Sequence, residues 1–106
     1  MVSIEDFKKF EIIVAQIKEA EDHPDADRLY VLKVDTGSEV KQLVAGIRGS
    51  YSIDELIGRK IVIINNLEPA TIRGQESKGM LLAVGDEQGT SLLAPDRDIP
   101  LGSVIR

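Results

Sequence analysis

SIDELIGRKIVIINN, residues 52–66, compresses a helix and a strand into one short stretch. Ser52 and Glu55 have the spacing of a reciprocal helix N-cap, and Gly58 stands where a helix C-terminus wants glycine. KIVIINN follows, apolar at consecutive positions, as expected of a strand covered on both faces. Upstream, Val40 to Ala45 reads as another strand. RLYVLKVDTG (28–37) reads as one more, with Tyr30, Leu32 and Val34 alternating against their neighbours and a turn around Thr36-Gly37-Ser38. EDHPDAD (21–27) is a Pro-containing loop. FEIIVAQIKEA (10–20), rich in β-branched residues, is a long first strand. A short helix capped by Ser3 precedes it, with Asp6 at its third position and Ile4 and Phe7 on one face.

Downstream, GMLLAVGDEQGTSLLAP (79–95) reads as a hairpin turning at Asp86-Glu87-Gln88-Gly89, and IPLGSVIR (99–106) as a last short strand. The order predicts an all-β chain. The expected architecture is an OB-fold, a five-stranded barrel with a short helix between strands three and four, plus a short N-terminal helix and C-terminal strand elements. With 106 residues the chain fits one domain, 1–106.

Cysteine is absent and His23 is the one histidine, which excludes thiolate catalysis, Cys-based metal sites and a His-rich metal centre. No apolar run approaches the ~18 residues of a membrane span, and MVSIEDFKKF lacks the pattern of a secretory signal. A reducing, cytoplasmic address is expected. Met1 at the first position leads us to expect a stand-alone module. Eighteen acids against thirteen bases give a net charge of −5, which as a whole disfavours phosphate-bearing partners. The distribution is uneven, however. Residues 28–80 carry eight bases and six acids, and a binding face needs local charge rather than global charge.

Asp35-Thr36-Gly37 spells the triplet of aspartic proteases, and Ile57-Gly58-Arg59 adds to that likeness. Lys33, Ser38, Glu39 and Lys41 nearby suit a solvated turn better, with Gly37 at positive φ. Asp22, His23, Asp25 and Asp27 fail the calcium-loop spacing and read as turn caps. Gly46-Ile47-Arg48-Gly49-Ser50 misses the phosphate-loop spacing. No metal and no cofactor is expected, and nothing demands an enzyme.

NLEPATIRGQESKGM (66–80) is richer in polar groups than a plain connector. Arg73 and Lys78 flank Gly74 and Gly79, where backbone can approach a ligand, and Asn66 and Ser77 add uncharged hydrogen-bonding groups. The set suits a sugar–phosphate backbone. It suits equally a long hairpin-like loop whose Gly and Pro serve shape alone, and residue chemistry leaves both readings open.

HPDADRLYVLKVDTG (23–37), VAGIRGSY (44–51) and NLEPATIRGQESKGM together resemble the tRNA-binding domain family. That family occurs as C-terminal extensions or separate β subunits of methionyl-tRNA synthetases, as free-standing tRNA-binding proteins, and in cytokine-like synthetase accessory proteins. The resemblance implies an OB barrel and a non-catalytic module that raises the tRNA affinity of a methionyl-tRNA synthetase, with tRNA and the synthetase catalytic chain as partners. It places RNA contacts at Arg28, Asn66, Arg73, Ser77 and Met80, to which the residue chemistry adds Lys78. Arg28 and Arg73 would fork onto phosphate oxygens, and Asn66 and Ser77 would bond ribose hydroxyls or a base edge. Met80 has two readings, against a base or as core at a strand start.

This chain departs from the family at Ile13, Ala15, Gln16 and Thr71, where basic or small residues are common. Several phosphate-binding charges are therefore missing, and weak, salt-sensitive binding is expected. With only four aromatics, recognition should rest on tRNA shape rather than stacked bases. The resemblance also implies a homodimer, joined through Ile4, Phe7, Leu101, Val104 and Ile105 in the terminal elements. The alternative is a dimeric chaperone-like protein-interaction module of the same fold, which generally lacks the His-Pro-x-Ala-Asp string.

Overall fold

A computed structural model describes residues 1–106. The elements are α1 (Ile4–Phe7), β1 (Ile12–Asp22), β2 (Tyr30–Asp35), β3 (Val40–Ala45), α2 (Ile53–Leu56), β4 (Lys60–Ile64), β5 (Ala70–Ile72), β6 (Gln75–Ser77), β7 (Met80–Leu81), β8 (Ala83–Asp86) and β9 (Gly89–Leu92). Five strands form one antiparallel sheet in the order β3-β2-β1-β4-β7, and β5-β6 and β8-β9 are separate hairpins.

Strand β1 organises the sheet. Its first half pairs with β4, from Ile12 against Ile64 to Gln16 against Lys60. Its second half pairs with β2, from Gln16 against Asp35 to Asp22 against Tyr30. The register slips between Ile17 and Glu19, so Lys18 is an extra residue. A bulge of this kind bends and twists its strand, and here it curls the sheet. The curled sheet is sealed at its β3 edge by β6 and the residue that follows it. The Lys78 amide donates to the Gln42 carbonyl at 2.8 Å, and the Gln42 side-chain amide donates to the Glu76 carbonyl at 2.9 Å.

Ile13, Ala15 and Ile17 of β1 point inward with Tyr30, Leu32 and Val34 of β2, Leu43 and Ala45 of β3, and Ile61 and Ile63 of β4. This is the period-2 pattern of the sequence made physical. Val62 and Ile64 are buried too, so β4 is covered on both faces. Leu56 of α2 is fully buried. The cap of α2 is reciprocal: Ser52 Oγ accepts from the Glu55 amide, and the Glu55 carboxylate accepts from the Ser52 amide. Ser3 caps α1 by accepting from the Asp6 amide at 3.1 Å.

Three expectations shift. The first strand begins and ends two residues later than its apolar text, because Glu21 and Asp22 still pair with Val31 and Tyr30. The stretch expected as a loop contains a short hairpin, β5-β6. The C-terminal segment is not a full strand but a single bridge, Val104 against Ile13. It nevertheless runs beside the start of β1, where Gly102 and Ile105 amides donate to the Val14 and Ile12 carbonyls, each at 2.8 Å. Pro100, which has no N–H, and the turn at Gly102 limit regular pairing there. No helix is long and apolar enough to cross a membrane.

Candidate nucleic-acid interface

The loop between β1 and β2 and the β5-β6 hairpin meet at one end of the sheet. Hairpin β5-β6 turns through Arg73-Gly74, with Ile72 paired to Gln75. Both turn residues have positive φ, 52° and 87°. A two-residue turn of this hand matches the twist of the flanking strands, but it favours Gly or Asn at both positions. Arg73 occupies a conformation that is costly for a long side chain. Its guanidinium is exposed and donates through Nη2 to the Asp25 carbonyl at 2.8 Å. That acceptor is backbone, not carboxylate, so the charge is not neutralised and the remaining N–H groups stay available. Arg28 is exposed as well, and the two arginines line one shallow depression of about 410 Å³ with Asp25, Ala26, Asp27 and Leu29. Two guanidiniums and two carboxylates thus share a rim.

His23 joins the two loops. It is 3% exposed. Its Nδ1 accepts from the Asp25 amide at 3.0 Å, so the ring proton lies on Nε2, which donates to the Ile72 carbonyl at 3.1 Å. This role was missed in the sequence. The available signal was a lone histidine beside proline in a loop otherwise made of acids, with a ring able to satisfy two backbone groups at once.

The other expected site residues lie elsewhere. Lys78 is exposed at the far end of β6, with Nζ 3.6 Å from a Glu76 carboxylate oxygen. Met80 is 48% exposed at the start of β7, so its reading as core is set aside. Ser77 is a correction. It is 4% exposed, and its hydroxyl accepts from the Val44 amide at 3.0 Å and donates to the Gly79 carbonyl at 3.0 Å. It stitches the β3 edge rather than facing solvent. Asn66 is exposed but committed: Oδ1 accepts from the Glu11 amide at 2.8 Å and Nδ2 donates to the Lys9 carbonyl at 2.8 Å. It fixes the link between α1 and β1. Neither amide nor hydroxyl is poised for a ligand, because long-range backbone partners claim both.

The positions that depart from the family pattern divide similarly. Ile13 and Ala15 are core, and Gln16 donates to the Gly58 carbonyl at 2.9 Å, whereas Thr71 is exposed on β5. Asp35-Thr36-Gly37 forms a closed turn. The Asp35 carboxylate accepts from the Gly37 amide at 2.8 Å, and Gly37 has φ 92°. Of the terminal residues, Ile4 and Val104 are 59% and 62% exposed, and Phe7, Leu101 and Ile105 are half-buried.

The profile of the family described as "Putative tRNA binding domain" matches residues 12–104. The chain belongs to the tRNA-binding domain family. It is 53% identical over 105 residues to a methionine–tRNA ligase of Thermococcus onnurineus, covering 99% of this chain and 14% of that protein. It therefore spans about one-seventh of the length of that relative. Among solved structures it resembles a CsaA chaperone protein from Picrophilus torridus at TM-score 0.93 and 34% identity, with all of both chains covered. It also resembles a MetRS-related protein from Pyrococcus horikoshii at TM-score 0.92 and 32% identity, covering 100% of this chain and 98% of that one. The matched region runs from the start of β1 to the C-terminal bridge.

Proposed function

We propose that this chain is a non-catalytic tRNA-binding module of the OB type, its barrel formed by the curled sheet with α2 between the third and fourth strands. It recognises the shape and backbone of tRNA and raises the tRNA affinity of a methionyl-tRNA synthetase. Linked or docked beside a primary site, a second weak site multiplies overall affinity by raising local concentration. The observation that carries this reading is the pair Arg28 and Arg73 on one rim, with the Arg73 fork held by a carbonyl rather than quenched by an acid. In OB folds the loop after the first strand and the loop after the fourth flank the ligand face, and these two loops supply the arginines. Lys78 extends the contact surface along β6, with Met80 beyond it. Asn66 and Ser77 contribute by shaping the surface. The module works in the cytoplasm, without metal or cofactor.

Two copies pair through Ile4, Phe7, Leu101, Val104 and Ile105; α1 leads into the start of β1, and the C-terminal segment runs beside it. A solution mass equal to one chain by light scattering rejects this pairing.

The test of the RNA reading is a titration of mixed tRNA and of duplex DNA at two salt concentrations, with wild type and Arg73→Ala. Wild type prefers tRNA, and Arg73→Ala weakens tRNA binding by roughly tenfold, the weight of a charge-assisted contact. Equal affinity for both nucleic acids, or no effect of the substitution, rejects it. A second reading, a chaperone-like module for unfolded proteins, is favoured by the similarity to the CsaA structure and by exposed Ile4 and Val104. Suppression of client aggregation, together with indifference to tRNA, supports that reading instead.

A further inference from the structure

Three hydrogen bonds and one link through the chain close a ring beside the candidate interface. Ile72 is joined to Arg73 through the chain. The Arg73 guanidinium donates to the Asp25 carbonyl, the Asp25 amide donates to His23 Nδ1, and His23 Nε2 donates back to the Ile72 carbonyl. His23 is the one buried member, and its ring bonds backbone groups of both loops. The rim it supports carries two arginines and two aspartates, so its formal charge balances. Where net charge offers a phosphate little attraction, affinity depends on where the guanidinium is held. A turn with Arg73 at φ 52° is also not self-supporting, because that backbone region is disfavoured for arginine.

We infer that His23 is a positioning residue for RNA binding: it locks the β1–β2 loop to the β5-β6 hairpin and so fixes the Arg73 fork over the rim. It touches no RNA itself and acts through Arg73. This inference rests on the tRNA reading above. It also assigns a use to the His-Pro-Asp-Ala-Asp string beyond turn capping. Pro24 and the carboxylates shape the loop, while the imidazole ties it down.

The test is a double-mutant cycle on tRNA affinity with His23→Ala, Arg73→Ala and the pair, each checked for native circular dichroism at the binding temperature. His23→Gln and His23→Asn divide the two ring bonds, since the first retains a donor near Nε2 and the second an acceptor near Nδ1. His23→Ala should weaken tRNA binding several-fold, approaching the effect of Arg73→Ala at roughly tenfold. It should add nothing in the Arg73→Ala background, and Gln or Asn should restore part of the loss. Nitrogen-15 NMR of the guanidinium groups gives a readout without RNA: the bonded Arg73 signal, distinct in wild type, merges with the exposed arginines in His23→Ala. If His23→Ala fails to fold, the Gln and Asn variants carry the comparison. Wild-type affinity in folded His23 variants, or equal losses with and without Arg73, overturns the inference while leaving the tRNA reading intact. No loss on Arg73→Ala itself overturns both.

Discussion

Gly37 and Gly102 interlock two segments far apart in the chain. A Cβ on Gly37 would lie 2.9 Å from the Leu101 carbonyl oxygen, and one on Gly102 would lie 2.9 Å from the Thr36 carbonyl oxygen. The β2–β3 turn and the C-terminal segment thus touch backbone to backbone at both places. Both glycines also have positive φ, 92° and 86°. Gly37→Ala and Gly102→Ala should each lose at least about 1–2 kcal/mol of unfolding free energy, the conformational cost alone, before any overlap is counted. Urea denaturation measures this. Wild-type stability in either variant contradicts the close approach.

Ser77→Ala tests the seam. The substitution strands the Val44 amide and the Gly79 carbonyl in a partly buried place, at a cost of about 1 kcal/mol. At temperatures where the variant remains folded, its tRNA affinity should change far less than that of Arg73→Ala. A large affinity loss with unchanged stability would return Ser77 to the contact surface.

Arg73→Asn sets stability against binding. Asparagine tolerates the left-handed turn position better than arginine, which offsets the lost exposed bond to the Asp25 carbonyl. The variant should be at least as stable as wild type and bind tRNA more weakly. A variant that is clearly less stable would show the turn to be held by the guanidinium.

Acid should weaken the fold through two exposed carboxylates. The Ser52 backbone amide, then the Ser52 hydroxyl and the Arg59 charge, hold the Glu55 carboxyl below its ordinary 4.5. The hydrogen bond and charge of Lys60 hold Asp98 below 3.8. Both groups are more acidic folded than unfolded. Their contribution is therefore complete above those ordinary values and is lost as the pH falls through the folded ones. Urea midpoints should decline as the pH is lowered below about 5. Glu55→Gln, which preserves the cap, combined with Asp98→Asn should flatten that decline. An unchanged slope in the double variant would exclude these two groups as its source.

What could be read in the sequence was local. Ser52 and Glu55 are three residues apart, and the alternation of Tyr30, Leu32 and Val34 needs no partner to be seen, so α2 and the longer strands were legible, whereas the short β5-β6 pair was not. Arg73 was also legible, because charge beside glycine in a loop is its own signal, whereas Arg28 came from the motif resemblance alone. The uses of Asn66, Ser77 and His23 were not. Their partners lie 55, 33 and 49 residues away, and each side chain has the same composition whether it meets a ligand or a distant backbone group. Motif resemblance named Ser77 and Asn66, and only geometry showed which way their polar atoms are spent. Helix α1 and the Ser3 cap were readable, whereas the clamp that anchors it, Asn66 on Glu11 and Lys9, was not.

Strand β1 has one further consequence through its length. Eleven residues at ~3.3 Å each separate its two ends by up to about 30 Å. The arginine-bearing loop leaves one end, while α1 and the C-terminal bridge lie at the other. A tether attached at either terminus therefore emerges on the side away from the guanidiniums. The curled sheet would act as a spacer, so that a module tethered to a larger body would turn its arginine-bearing rim outward.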